Sequence, residues 1–184
     1  MNTPIIFDAH LDLGALAVNG RDMTERDLAR VDRPWPPASV TIPSLVDGNI
    51  RFALGTIFTE RDGEGAEGYP AGDAERAHAR ARAQLEAYLH WHEKGMIRLG
   101  LRSMLANDPG VGAVKGGMGV AEPSPFPIEE KLRRRARDGA PTIGLLMENA
   151  DPIRDPEEVG FWKRKGVLAV GLTWARASRY ASGN

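Results

Sequence analysis

The sequence predicts an α/β protein with a parallel sheet, the N-terminal part of a (β/α)8 TIM-like barrel rather than a closed one. Three observations carry that expectation. Short apolar runs without a helical period (5–7, 52–59, 142–147 and 167–173) read as strands. Capped helical stretches separate them, the clearest spanning 74–94. Polar residues collect where strands end: Asp8, His10 and Asp12 after the first run, Glu148 after a later one. Strands alternating with helices give parallel sheets, and in a barrel the functional residues gather at the C-terminal face. Only four or five strand candidates fit into 184 residues, whereas a closed barrel takes about 250. The chain, 1–184, is expected to form one domain.

Composition narrows the function. The hydrophobic fraction of 42% and charged fraction of 27% are those of an ordinary globular protein. A net charge of -1 supplies no field for nucleic acid or an anionic membrane, so neither is an expected partner. Cysteine is absent, which excludes disulfides and thiolate ligands. Any metal must be held by histidine and carboxylate, a donor set suited to zinc, manganese or iron at a catalytic centre. The N-terminus has no basic segment followed by a long apolar run, and a cytoplasmic location is the expectation.

The first element, Ile5-Ile6-Phe7-Asp8-Ala9-His10-Leu11-Asp12, reads as a strand buried on both faces that runs into a polar cluster. Alternate residues of an extended chain point the same way, so Asp8, His10 and Asp12 are predicted to project to one side. An imidazole and a carboxylate two residues apart can share one metal ion. Alone, that spacing is just as compatible with a hydrogen-bonded pair or a turn.

Further along, Thr24 is placed as the cap of a brief helix through Arg30, and Trp35, among prolines, is assigned to packing ahead of the alternative, the wall of a pocket mouth. In the long helix, Asp73 is the N-cap and Gly95 the stop. Ala74, Ala77, Ala81, Leu85, Tyr88 and Leu89 form its inner stripe. The same helix carries His78, His90 and His92. Residues two apart on a helix diverge by about 200°, so His90 and His92 are assigned to surface or packing. Residues 97–101 read as a third strand. The glycine-rich stretch 115–119 lacks the spacing and Lys-Ser/Thr ending of a phosphate loop. A helix is predicted to start at Pro127 and to end just before Gly139, and its run Arg133-Arg134-Arg135, offset by Glu129 and Glu130, reads as a solvated face.

The second chemical element is Thr142-Ile143-Gly144-Leu145-Leu146-Met147-Glu148-Asn149. A carboxylate closing an apolar strand is costly to desolvate unless it is paired or bound to metal. Asp155 then caps a helix from Pro156 to Lys165, Gly166 stops it, and a strand and a loop follow.

On Asp8-Ala9-His10-Leu11-Asp12, the strand ending in Glu148, and Gly171-Leu172-Thr173, the chain resembles the membrane dipeptidase (renal dipeptidase) family. These are zinc peptidases among the metal-dependent hydrolases built on an amidohydrolase-like barrel. The resemblance covers nearly the whole chain but only the N-terminal half of the family fold. It implies a dipeptidase with two zinc ions: His10 and Asp12 on the first, Glu148 bridging to the second, Asp8 orienting His10. It implies no further catalytic residue in this chain. The family's other histidine ligands, and a late aspartate near the attacking water, lie beyond the point matching Asn184. Its substrate would be a small dipeptide or amide, and a homo-oligomer is compatible with it. Two departures bear on substrate preference. Trp174 stands where a histidine commonly follows Leu-Thr, and Asn149 replaces a usual glycine. Two alternatives stand beside this reading: hydrolysis of another amide, lactone or ester, and a non-catalytic assembly module that pairs through open strand edges.

Overall fold

The computed structural model describes residues 6–100 and 139–183. Its centre is a sheet in which every pairing is parallel. Strand β1 (Ile6–Leu11) pairs with β2 (Ile50–Ile57). Two short strands, β3 (Glu60–Arg61) and β4 (Gly68–Tyr69), make a separate ladder beyond β2. Strand β5 (Arg98–Leu99) and β7 (Val167–Val170) both pair with β6 (Thr142–Met147), β5 along its first half and β7 along its second. The other edge of β6 runs against β2 in unbroken register, from Phe52 opposite Thr142 to Ile57 opposite Met147.

Helices α1 (Leu13–Val18), α2 (Ile42–Asp47), α3 (Ala74–Glu93) and α4 (Val159–Arg164) complete the described elements, with short 3-10 turns at Leu28–Arg30 and Pro156–Glu158. The Asp73 carboxylate accepts from the Arg76 N–H at the start of α3, and Gly95, at φ 70°, ends it, as their residue types predict. The buried stripe of α3 is Ala77, Ala81, Gln84, Leu85, Tyr88 and Trp91. Ala74 and Leu89 are only partly covered, and Gln84 joins because its amide bonds both the N–H and the C=O of Phe58. Tyr88 is fully buried; its hydroxyl donates to Thr56 O and accepts from Gly14 N. Burial pushes that hydroxyl well above its ordinary pKa. Space for the ring exists because a Cβ at Gly55 would lie 2.7 Å from the Tyr88 hydroxyl, and one at Gly14 2.7 Å from the ring.

Four expectations change. Strand β1 is not buried on both faces: Ile6 is 41% and Phe7 59% exposed, because among the described elements β1 packs chiefly against β2 at its edge and no helix is laid closely over its faces. The brief helix near Thr24 is instead a 3-10 turn capped by Asp27, while Asp22 binds the N–H and hydroxyl of Thr24. Of the strand expected at 97–101, the described residues form only β5, a flank on β6. The predicted strand at 167–173 ends at Val170. The glycine-rich stretch 115–119 and the arginine run lie outside the described residues. Among the described residues no helix is long and apolar enough to cross a membrane.

Candidate metal centre

Parallel pairing carries the ends of β1, β2, β6 and β7 to one side of the sheet, and the polar residues sit at those ends. His10 lies near the end of β1, Asp12 between β1 and α1, and Glu148 directly after β6. One donor atom from each of the three comes within 4.8 Å of the others. The His10 imidazole Nε2 is 3.0 Å from Glu148 Oε1. Despite that proximity Oε1 is buried without an aligned hydrogen-bond donor. Asp12 Oδ1 accepts from the Thr56 hydroxyl at 2.7 Å, and Thr56 is fully buried at the end of β2.

Electrostatics set Glu148 apart. Burial pushes its carboxyl above the ordinary glutamate range, His10 pulls it back, and the Asp12 carboxylate adds to the upward push. The backbone fixes the residue as well, since Glu148 N donates to Ile57 O at 3.1 Å.

Asp8 does not orient the imidazole. Its carboxylate accepts from the His10 backbone N–H at 3.0 Å, an i to i+2 turn contact, and it stays outside the cluster. The reason is local: pairing between β1 and β2 is irregular from Asp8 to Leu11, which breaks the strict alternation that would align the two side chains. The α3 histidines also stay away. His78 Nδ1 lies 2.9 Å from Pro152 O, and His92 is near Ile97 O at 3.4 Å.

Trp35 is not packing material. It is 65% exposed, at φ 48°, and with His10 and Asp12 it lines a cavity of about 410 Å³.

A polar network behind Glu148 was not legible in the sequence. The buried Asn149 amide donates to the Tyr69 hydroxyl at 2.8 Å and to Thr59 O at 3.3 Å, and its oxygen accepts from Asp151 N. Tyr69 in turn donates to Asp151 Oδ2 at 2.6 Å, and Asp151 Oδ1 accepts from Arg179 N at 2.7 Å. Burial, reinforced by Asp151, pushes the Tyr69 hydroxyl far up. Residues from β4, the turn after β6 and the C-terminal segment are thus locked around the residue next to Glu148. The one available signal was Asn-Ala-Asp after an apolar strand, which marks a turn but names no partner.

The donor set fits a divalent cation. Donors about 2.0–2.2 Å from one ion stand ~3.4 Å apart at tetrahedral angles, close to the His10–Glu148 separation. A buried carboxylate oxygen without a donor, facing an imidazole and a second carboxylate, is the arrangement a cation would complete.

Comparison with known proteins bears on the fold. No family profile and no curated relative matches the sequence. Solved structures do. Dipeptidase AC, a metallopeptidase, superposes at TM-score 0.58 with 17% identity over 95% of this chain and 44% of its own. A metallopeptidase from Rhodobacter sphaeroides, liganded with a phosphinate mimic of the dipeptide L-Ala-D-Ala, gives 0.58 with 15% identity over 95% and 47%. The probable dipeptidase PvdM from Pseudomonas aeruginosa gives 0.54 with 18% identity over 92% and 34%. The chain therefore has the α/β, parallel-sheet fold of part of these metallopeptidases and spans less than half the length of each.

Proposed function

We propose that the chain is the N-terminal part of a (β/α)8 barrel belonging to a zinc-dependent dipeptidase. His10 and Asp12 would hold the first of two zinc ions, and Glu148 would bridge to the second. The observation that carries this reading is the convergence of His10, Asp12 and Glu148, from β1 and β6, on one point at the C-terminal side of the sheet. The sheet order is β1-β2-β6-β5 with β7 also paired to β6; taking the two-residue β5 as a flank leaves β1, β2, β6 and β7 as successive parallel neighbours, which is what the first part of a barrel requires. The fold shared with three peptidase structures points the same way.

When bound, two zinc ions polarise a peptide carbonyl and supply hydroxide at neutral pH. The chain's own contribution is orientation and charge. The hydroxyl of Thr56 fixes Asp12, the Ile57 carbonyl and the Asn149 network fix Glu148, and the half-exposed His10 presents its Nε2 to the same point. Burial keeps the Glu148 carboxylate in a medium where a cation gains more than in water. The test is metal analysis with dipeptide turnover for the whole protein and its His10→Ala variant. About two zinc per protein and a turnover lost in His10→Ala are expected; a metal-free protein, or a variant with unchanged turnover, overturns the reading.

A second reading rests on Trp174. It is 45% exposed and stacks edge-to-face on Phe58 at 5.0 Å. An indole offers neither the acid–base chemistry nor the acceptor of an imidazole at that place, so the same centre would hydrolyse another amide, a lactone or an ester. A substrate panel that leaves dipeptides intact and consumes one of these selects it.

A further inference from the structure

The cavity beside His10 and Asp12 has two buried charged side chains in its wall, Arg21 and Glu67, and they are not equally committed. Arg21, 7% exposed, spends Nε, Nη1 and Nη2 on the backbone carbonyls of Arg33, Val40 and Pro34. It staples the excursion between α1 and α2, and its charge is answered by carbonyl dipoles. Glu67, 6% exposed, receives one side-chain donor, the neutral Asn19 amide at 2.6 Å on Oε2. Among the described residues no cation pairs with it.

A carboxylate offers about four acceptor positions, and a buried one without a counter-charge is expensive. The carboxylate is also held in place. Asn19 binds Ala15 O and accepts from Ala66 N, gathering the loop onto the end of α1. The group lies so close over Gly65 that a Cβ there would come within 2.2 Å of Oε1. Asn19 alone would account for a loop pin, but a loop pin needs no charge and no place in a cavity wall. Trp35 and Phe58 line the same space, and aromatic faces beside a carboxylate are the surroundings that favour an organic cation.

We propose that Glu67, with Trp35 and Phe58 as walls, forms a subsite for an organic ammonium group, the α-amine of a two-residue substrate whose carbonyl lies at His10 and Asp12. This deepens the dipeptidase reading and rests on it for the identity of the substrate. At about 410 Å³ the cavity is near the small end of ligand sites, suited to two residues rather than a long peptide.

The test is calorimetric and needs no turnover. The zinc-loaded whole protein is titrated with a phosphinate mimic of Ala-Ala and with its N-acetyl derivative, which lacks the positive charge. A hydrogen-bonded ion pair in such a site favours the free amine by about 10-fold or more. Glu67→Gln is expected to erase that preference by weakening the free-amine compound alone. Glu67→Asp keeps the charge but withdraws it by one methylene, and should retain part of the preference; it serves if Glu67→Gln disturbs the loop. Equal binding of both compounds by the native protein, or a preference unchanged in Glu67→Gln, overturns the subsite. A second pair, alaninamide and N-acetylalaninamide on metal-free protein, separates the two proposals. An amine preference there that depends on Glu67 upholds the subsite even if no dipeptide is hydrolysed. Its absence, with dipeptide hydrolysis intact, removes the subsite and leaves the peptidase.

Discussion

Replacing Glu148 by Gln should stabilise the metal-free protein while removing its response to metal. The carboxylate is 9% exposed, one oxygen has no donor, and the neighbouring Asp12 repels it. An unsatisfied buried polar group costs about 1–3 kcal/mol, more if charged. The opposing contact with the half-exposed His10 returns at most about 1 kcal/mol. The isosteric amide keeps the packing and can donate toward Asp12, so the net gain is about 1–2 kcal/mol. For a chain of this size that raises Tm by roughly 2–8 °C. The pH dependence has a definite sign. A folded pKa raised above the unfolded value means that the stability Glu148 contributes is present below the unfolded value, about 4.3, and is lost as pH rises through the folded one. The gap between variant and native protein should therefore be widest at pH 8 and close toward pH 4. Thermal unfolding in chelator across that range, repeated with added zinc, measures both effects. The native protein should gain Tm from zinc and the variant little. A variant that is less stable than native at pH 8 in chelator would refute the electrostatic reasoning.

Three other substitutions probe the supports of the site. Thr56→Val keeps the volume of a fully buried side chain but removes the donor to Asp12, and should weaken zinc binding by about 10- to 100-fold in a competition titration. Tyr69→Phe leaves the buried Asn149 and Asp151 each short of a partner, which should cost about 1–3 kcal/mol in denaturant unfolding. Gly55→Ala places a Cβ 2.7 Å from both the Tyr88 hydroxyl and Ile143 Cγ2; with Tyr88 pinned at both bonds, the clash should cost about 1–3 kcal/mol.

Much of this molecule was legible because its signals are local. The inner face of α3 follows from spacing, its ends from Asp73 and Gly95, and Glu148 announces itself as an acid closing an apolar strand. What escaped depends on contacts between distant positions. Nothing near Glu67 in sequence names Asn19, 48 positions away, and nothing near Asn149 names Tyr69, 80 away. Asp8 misled for another reason: period-two alternation assumes a regular strand, and the irregular pairing of β1 turns its carboxylate to the backbone. Trp35 misled because prolines suggest a packed loop, while the left-handed turn leaves the indole in the open.

The meeting of His10, Asp12 and Glu148 is a consequence of what lies between them. Strands β1 and β6 are not neighbours; β2 separates them, so their backbones stand roughly 9.5–10 Å apart at a spacing of about 4.8 Å per strand. Side chains from β1 and from the end of β6 must therefore reach across β2 to meet. Beside Leu11, β2 carries Gly55, followed by Thr56, whose hydroxyl turns to Asp12; Glu148 follows Met147, which lies opposite Ile57. The same glycine admits the Tyr88 ring that ties α3 to β2 and to the start of α1, directly after Asp12. Packing and chemistry therefore meet on β2, where Gly55 seats the Tyr88 ring, the adjacent Thr56 holds Asp12 and the Ile57 carbonyl holds Glu148.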